Sequence, residues 1–298
     1  MRPVFAPHRL PDGPRLTTVA AVCVLVLAAA GCAPQQDSTS ASGSPSTASC
    51  APGSLRTHTP GKLTIGTDKP AYAPWFQDDD PADGKGFEAA TAYAVAKRLG
   101  YGPTQVAWQT VPFNNAITPG AKNFDLDINQ ISISDERRRA VDFSSGYYDV
   151  RQALIALKGS KIANARSIAD LRGAKLGAQV GTTSLDVLNH VVKPTRQPAI
   201  YQKNDLAKSA LKNGQVDGIV VDLPTAFYIT SAEVTDAKVV GQFADTGGRP
   251  EQFGFVLDKG SALTPCVSKA VDGLRADGTL AALDKRWLSD AVNAPVLK

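Results

Sequence analysis

Between residues 62 and 288 the spacing of apolar positions switches repeatedly between two periods, and each switch marks an element. "KLTIGTD" (Lys62–Asp68) alternates and is β-branched, which predicts a strand. A Pro-, Gly- and Asp-rich loop carrying Tyr72, Trp75 and Phe76 follows. Phe87, Ala90, Tyr93, Ala94 and Leu99 then recur near helical spacing, with Gly100 as the stop. "TQVAWQTV" predicts a strand, "FNNAITPGA" a short helix or turn, and "FDLDINQISI" another strand. Strand, helix, strand, helix, strand implies a parallel sheet with helices on its faces.

The pattern then restarts. "RQALIALKG" predicts a strand and "SIADLRG" a short helix with Ser167 as N-cap and Gly173 as stop. Strands over "AKLGAQV", "AIYQ" and "VDGIVVD" are separated by helices over "TSLDVLNHVVK" and "DLAKSALKNGQ". "LPTAFYITSA" is a helix opened by Pro224; "EQFGFVL" is a strand, and "ALTPCVSKAVDGLRADG" and "LAALDKRWLSDA" close the chain as helices. The fold class is α/β, in two lobes of mostly parallel sheet with flanking helices: 61–150, 151–248, and a return to the first lobe over 249–298. Two crossings, near Tyr148–Arg151 and Gly248–Phe253, would make a hinged cleft.

The N-terminus follows another rule. Arg2, His8, Arg9 and Arg15 precede "TVAAVCVLVLAAAGC", whose apolar run is too short to span a bilayer. A basic region, a short apolar region and small residues predict an export signal over 1–31. Its end, "AAGC", resembles a bacterial lipoprotein signal, in which Cys32 is lipidated and anchors the protein to the outer face of the cell membrane; a secretory signal cut near Ala30 is the alternative. "APQQDSTSASGSPSTAS" has no period and nothing to bury, so 32–60 reads as a tether. Beyond Cys32 the remaining cysteines are Cys50 and Cys266, which in an oxidising exported setting read as a disulfide.

Ligands of open parallel sheets sit beyond the carboxyl ends of the strands, so the residues there are the candidates. They are Asp68 and the aromatic loop, Ser132, Ser134 and Arg137, Thr182 and Thr183, and Asp222. Ser134 suits an N-cap, with Asp135 and Glu136 in the first turn. Arg137 in that same turn is disfavoured by the helix dipole, whereas its planar fork matches a carboxylate. Asp222 on the other lobe suits a cation, and the pair describes a site for a free amino acid. Blander readings stand beside each: a wet helix face for Arg137, an N-cap for Asp222, a cap for Thr182–Ser184, lobe packing for the aromatics, and core for Phe113.

Several motifs in order, "LTIGTDKPAYAPWF", "GKGFEAATAYAVAKRLGY", "FDLDINQISISDERRRAVDFSSGYY", "SIADLRGAKLGAQVGTTS", "GQVDGIVVDLPTA" and "DGTLAALDKRWL", resemble the family 3 extracellular solute-binding proteins, the amino-acid-binding components of ABC importers. The resemblance covers most of Gly61 to Leu288 and implies a type II periplasmic-binding-protein fold. It implies that Tyr72 or Trp75, with Phe113, sandwiches the ligand side chain. Ser132 and Arg137 would hold the α-carboxylate, helped by the Gln130 backbone and Thr183, Asp222 the α-ammonium, and Asp68 a polar side chain. Thr182 belongs to the same candidate set. Gln130 replaces a usually small residue, and Glu88 stands where Asp is frequent. The implied partners are a polar amino acid and an ABC permease; a monomer without cofactor is expected.

Charge and chemistry exclude other classes. The net charge of +4 is dispersed apart from Arg137–Arg139, which leaves nucleic acid no patch. His190 is the only histidine inside the lobes, and no G-x-S-x-G, CxxC or His/Cys cluster is present. The alternatives are a sensory lipoprotein without a transporter, or a cyclohexadienyl dehydratase-like enzyme with Glu88 or Glu251 as acid. Arg151 could reach the cleft or face solvent.

Overall fold

Ten strands build two five-stranded sheets within the residues described by the computed structural model, which are 49–51, 53–245, 250–288 and 294–298. In chain order the first five are β1 (Leu63–Thr67), β2 (Val106–Thr110), β3 (Leu126–Asp127), β4 (Asp142–Val150) and β5 (Gln152–Leu157). The others are β6 (Leu176–Gln179), β7 (Ala199–Tyr201), β8 (Gly218–Asp222), β9 (Ala237–Gln242) and β10 (Glu251–Leu257). One sheet has the order β2-β1-β3-β10-β4 and the other β7-β6-β8-β5-β9. The helices are α1 (Phe87–Arg98), α2 (Phe113–Ile117), α3 (Asp135–Arg138), α4 (Thr183–Asp186), α5 (Asn204–Lys212), α6 (Leu223–Tyr228), α7 (Thr264–Ala276) and α8 (Thr279–Trp287). Both α4 and α6 run on through a wider-turned segment, to Val192 and Glu233.

The sheets are mixed. β1 pairs parallel with β2 and β3, and β6 with β7 and β8, as strand–helix–strand units require. β10 is antiparallel to β3 and β4, and β5 to β8 and β9. The reason lies in the crossings: β4 leaves the first lobe where β10 re-enters it, and β5 enters the second where β9 leaves it. Only Arg151 separates β4 from β5. The second expected crossing includes Gly248, which lies outside the described residues, as do the signal segment and Cys32.

Three expectations need correction. β4 and β9 were not legible as strands, because "DFSSGYYDV" is rich in Ser and Gly and "AKVVGQ" is short; pairing with β10 and β5 makes them. The strand expected over 124–133 keeps regular pairing only at Leu126–Asp127, since Gln130 turns to φ +49 and leaves Ser132 as an isolated bridge to Phe253. The chain's end does not stay with the first lobe: the Gln242 amide donates to Pro295 O (2.8 Å), the Ile168 amide to Lys298 O (2.8 Å), and Leu297 enters the second lobe's core.

The first lobe packs on aromatics. Trp75 is fully buried and meets Phe87, Tyr148 and Phe253 edge-on, with centroids 5.5–6.0 Å apart. The second lobe is mainly aliphatic on both faces of its sheet, with Phe243 as its buried aromatic among the described residues. Cys50 and Cys266 form a disulfide with Cα atoms 5.4 Å apart, tying the start of the fold to α7. Among the described residues no helix is long and apolar enough to cross a membrane.

Candidate functional site

The carboxyl ends of β1, β3, β6 and β8 converge on one cavity between the sheets. From the first lobe it is lined by Asp68, Tyr72, Phe113, Asn129, Gln130, Ser132 and Arg137. The second lobe contributes Gln179, Thr182, Thr183, Ser184, Asn204, Val221 and Asp222. The free space is about 30 Å³, so the side chains nearly fill it and the lobes are closed on one another. Contacts across the cleft agree: Arg137 Nη2 donates to Gly181 O (2.9 Å), Trp75 Nε1 to Thr225 Oγ1 (2.9 Å), and Ser132 Oγ lies 3.4 Å from Thr183 Oγ1.

Arg137 is placed by a helix of a single turn. Ser134 caps it as expected, its Oγ accepting from the Arg137 amide (3.2 Å), so little dipole opposes the side chain. That side chain is 9% exposed and lies over Phe113, with Cζ 5.6 Å from the ring centroid. Nη1 donates to Ser132 O (2.6 Å) and Nη2 to Gly181 O. Both acceptors are neutral carbonyls, so among the described residues the guanidinium has no carboxylate in direct contact, although Glu251 lies near enough to act on it. Arg138 and Arg139 are exposed. Phe113 serves both readings, as core beneath Arg137 and as cavity wall.

Asp222 ends β8 and leads into α6, yet its carboxylate does not cap that helix. Oδ1 instead accepts from Gln152 Nε2 (2.8 Å). Burial holds its carboxyl up at about 8; Glu251 adds to this, while the Gln152 hydrogen bond and Arg137 oppose it. Glu251, at the first position of β10, accepts from Ser132 Oγ and from Gln152 Nε2 (3.2 and 3.3 Å). Gln152 also donates to Thr183 Oγ1 (3.3 Å) and accepts from Ser184 Oγ (2.5 Å), so one amide beside the crossing gathers both lobes. Thr182 does cap α4, accepting from the Leu185 amide (3.3 Å), which leaves Thr183 as the hydroxyl facing Ser132.

Gln130 has its own support. Its backbone amide donates to Glu88 Oε1 (2.7 Å), its side-chain amide to Glu88 Oε2, and Tyr147 Oη donates to Glu88 Oε1. Glu88 is fully buried on α1, and burial pushes its carboxyl up to about 7 against those three donors. Asp127, also fully buried, has no hydrogen-bond partner for either oxygen among the described residues, and burial raises it well above the carboxylate range.

Of the expected site residues, Trp75 is the one the structure does not bring to the cavity. It lies in the first lobe's core because the loop turns its indole inward, and only its N–H reaches the other lobe. Tyr72 takes the wall instead. Arg151 is exposed and paired with Asp245 (3.2 Å), outside the cavity lining. His190 is exposed on the segment following α4. Asn129, Gln152, Gln179 and Asn204 were missed, and Glu251 was named only as an acid of the enzyme alternative: Asn129 and Gln179 sit at strand ends and could have been taken by the same rule, whereas Gln152 and Glu251 flank the crossings. No group of three or more His, Cys, Asp or Glu among the described residues could hold a metal ion.

The model of the bacterial extracellular solute-binding proteins, family 3, matches residues 63–290. A probable histidine-binding protein of Campylobacter jejuni is 29% identical over 231 residues, 76% of this chain and 84% of its own. An ancestral arginine-binding protein bound to glutamine superposes with a TM-score of 0.64 at 30% identity, over 77% of this chain and 99% of that one. The ancestral amino acid-binding protein AncCDT-1, a precursor of cyclohexadienyl dehydratase, gives 0.63 at 28%, over 76% and 95%. These neighbours share the two-lobed, type II periplasmic-binding-protein fold.

Proposed function

Because the chain belongs to the bacterial extracellular solute-binding proteins, family 3, we propose that it captures a free amino acid by lobe closure and hands it to an ABC importer, held at the outer face of the membrane by a lipid on Cys32. The observation that carries this reading is the meeting of a buried guanidinium, Arg137, which among the described residues donates only to neutral carbonyls, and the carboxyl of Asp222 on opposite walls of one cavity. A zwitterion supplies what each lacks. Its carboxylate takes the Arg137 fork beside Ser132 and Thr183, and its ammonium takes Asp222. Tyr72 and Phe113 flank its side chain. Because the two charges belong to different lobes, only the closed state makes both contacts, and binding favours closure by that difference.

Relatives named for binding histidine, cystine and arginine support the ligand class. The test is isothermal titration calorimetry against the common amino acids. At least one binds saturably and is recovered unchanged, and Arg137→Ala removes that binding while the far-ultraviolet circular dichroism stays the same. Retained affinity in Arg137→Ala would sink the assignment.

A further inference from the structure

The cavity has two ends. Asp222 closes β8, near Gln152 and Glu251 at the crossings, whereas Asp68 closes β1 and faces the end of β7, two strands from β8 in the second sheet. At a strand spacing of about 4.8 Å the two ends lie roughly 10 Å apart. If the charged head of the ligand engages Arg137 and Asp222, its side chain points toward Asp68.

Asp68 is not free to act as a bare anion. Lys203, which follows β7 and precedes α5, reaches across the cleft and sets Nζ 3.5 Å from Asp68 Oδ1; the same Nζ donates to Lys69 O. The other contacts of the carboxylate come from backbone, Lys69 N–H to Oδ1 (2.6 Å) and Phe113 N–H to Oδ2 (3.2 Å). The pair joins the two lobes, so it forms in the closed state, the state in which a ligand is selected. Among the other lining residues Asn129, Gln179 and Asn204 are uncharged, and burial pushes the nearby Asp127 toward its neutral form. Asn129 is 6% exposed, and its Nδ2 is buried with no hydrogen-bond partner among the described residues. Asn129 and Asp68 follow the ends of the paired strands β3 and β1 and line the same cavity. One cavity thus holds a buried donor and an acceptor that a cation from the other lobe already opposes.

We propose that Lys203 is the specificity-determining residue of this site, neutralising Asp68 across the cleft so that the side-chain end takes a neutral carboxamide and discriminates against cationic side chains. A carboxamide offers both partners, a carbonyl oxygen for Asn129 Nδ2 and an NH₂ for Asp68. A lysine- or arginine-type ligand brings a second cation to a carboxylate already opposed by Lys203, and must displace it or be repelled. A glutamate-type ligand sets a carboxylate against Asp68. Neither mismatch arises with glutamine or asparagine.

This inference rests on the amino-acid reading above, and the experiment separates the two. Calorimetric titrations of glutamine, asparagine, glutamate, lysine and arginine are run on the wild-type protein, Lys203→Ala and Lys203→Arg, with thermal unfolding as the fold control. The wild type binds glutamine or asparagine more tightly than lysine or arginine. In Lys203→Ala the preference for carboxamide over cation falls by about tenfold or more, and Lys203→Arg keeps the wild-type order. A wild type that prefers arginine or lysine overturns the inference, as does a Lys203→Ala preference within about threefold of wild type, and both leave the receptor reading standing. If the wild type binds no amino acid at all, the receptor reading falls and this inference falls with it.

Discussion

Asp222 is where burial and ligand chemistry pull in opposite directions. With its carboxyl held at about 8 it is mostly protonated at pH 7, whereas a ligand ammonium requires the carboxylate. Binding therefore releases close to one proton at pH 7, and affinity rises as pH increases toward 8, then levels. Titrations in two buffers of different ionisation enthalpy check this: the observed binding enthalpy should differ between them, and identical values would remove Asp222 from the ammonium site. Glu88 couples to stability instead. Its folded value of about 7 lies above its ordinary 4.5, so the fold favours the protonated form. That contribution is fully present below about pH 4.5 and is lost as pH rises through 7, on the order of 3 kcal/mol. The melting temperature should fall between pH 5 and 7.5, and Glu88→Gln should flatten that fall. An unchanged slope in the variant would place the titration elsewhere.

At the scale of elements, the turn between β6 and α4 sets how closely the lobes approach. Gly181 has φ +74, and a Cβ there would lie 2.4 Å from Asn114 Oδ1 on the first lobe. Its carbonyl also accepts from Arg137. Gly181→Ala should cost about 1–2 kcal/mol of stability through the left-handed backbone and weaken ligand binding at least about tenfold by holding the lobes apart. Adding Asn114→Ala should recover part of the affinity but not the stability, which denaturant melts and calorimetry read separately. The strand after Phe124 is the counterpart on the other wall. Gln130 breaks it because Glu88, itself fixed by Tyr147, accepts its amide and holds the backbone at a positive φ. No local pattern in "DINQISI" announces that, since its partner Glu88 lies 42 residues before it.

For the whole molecule the disulfide is the longest covalent constraint, closing Cys50 to Cys266 over a sequence separation of 216. Loops of that length lose about 5 kcal/mol of chain entropy in the unfolded state on cross-linking, and measured contributions more often reach 2–4 kcal/mol. Urea unfolding with and without reductant should differ by roughly 2–5 kcal/mol, and a Cys50→Ser, Cys266→Ser variant should match the reduced protein. No difference would mean that the N-terminal segment unfolds independently of α7. The three passages between lobes, β4 to β5, β9 to β10, and the return of residues 294–298 to the second sheet, bind the ends of the chain to both lobes.

Much of this was legible one element at a time. β1, α1, α5 and α7 follow from apolar periodicity, Ser134 from capping chemistry, and Arg137 and Asp222 from lying past the ends of apolar strands. Those signals are local, because helix and strand periods and caps are satisfied within a few neighbouring residues. The tertiary structure alone decided the rest. It made β4 and β9 strands by giving them partners, turned Trp75 from the cleft into the aromatic core, and set Gln152 and Glu251 against Ser132 and Asp222. It also carried Lys203 across the cleft to Asp68, 135 positions away in the chain. Charge balance in a cavity depends on which side chains closure brings together, and that is a property of the packed lobes, which no window of neighbouring residues contains.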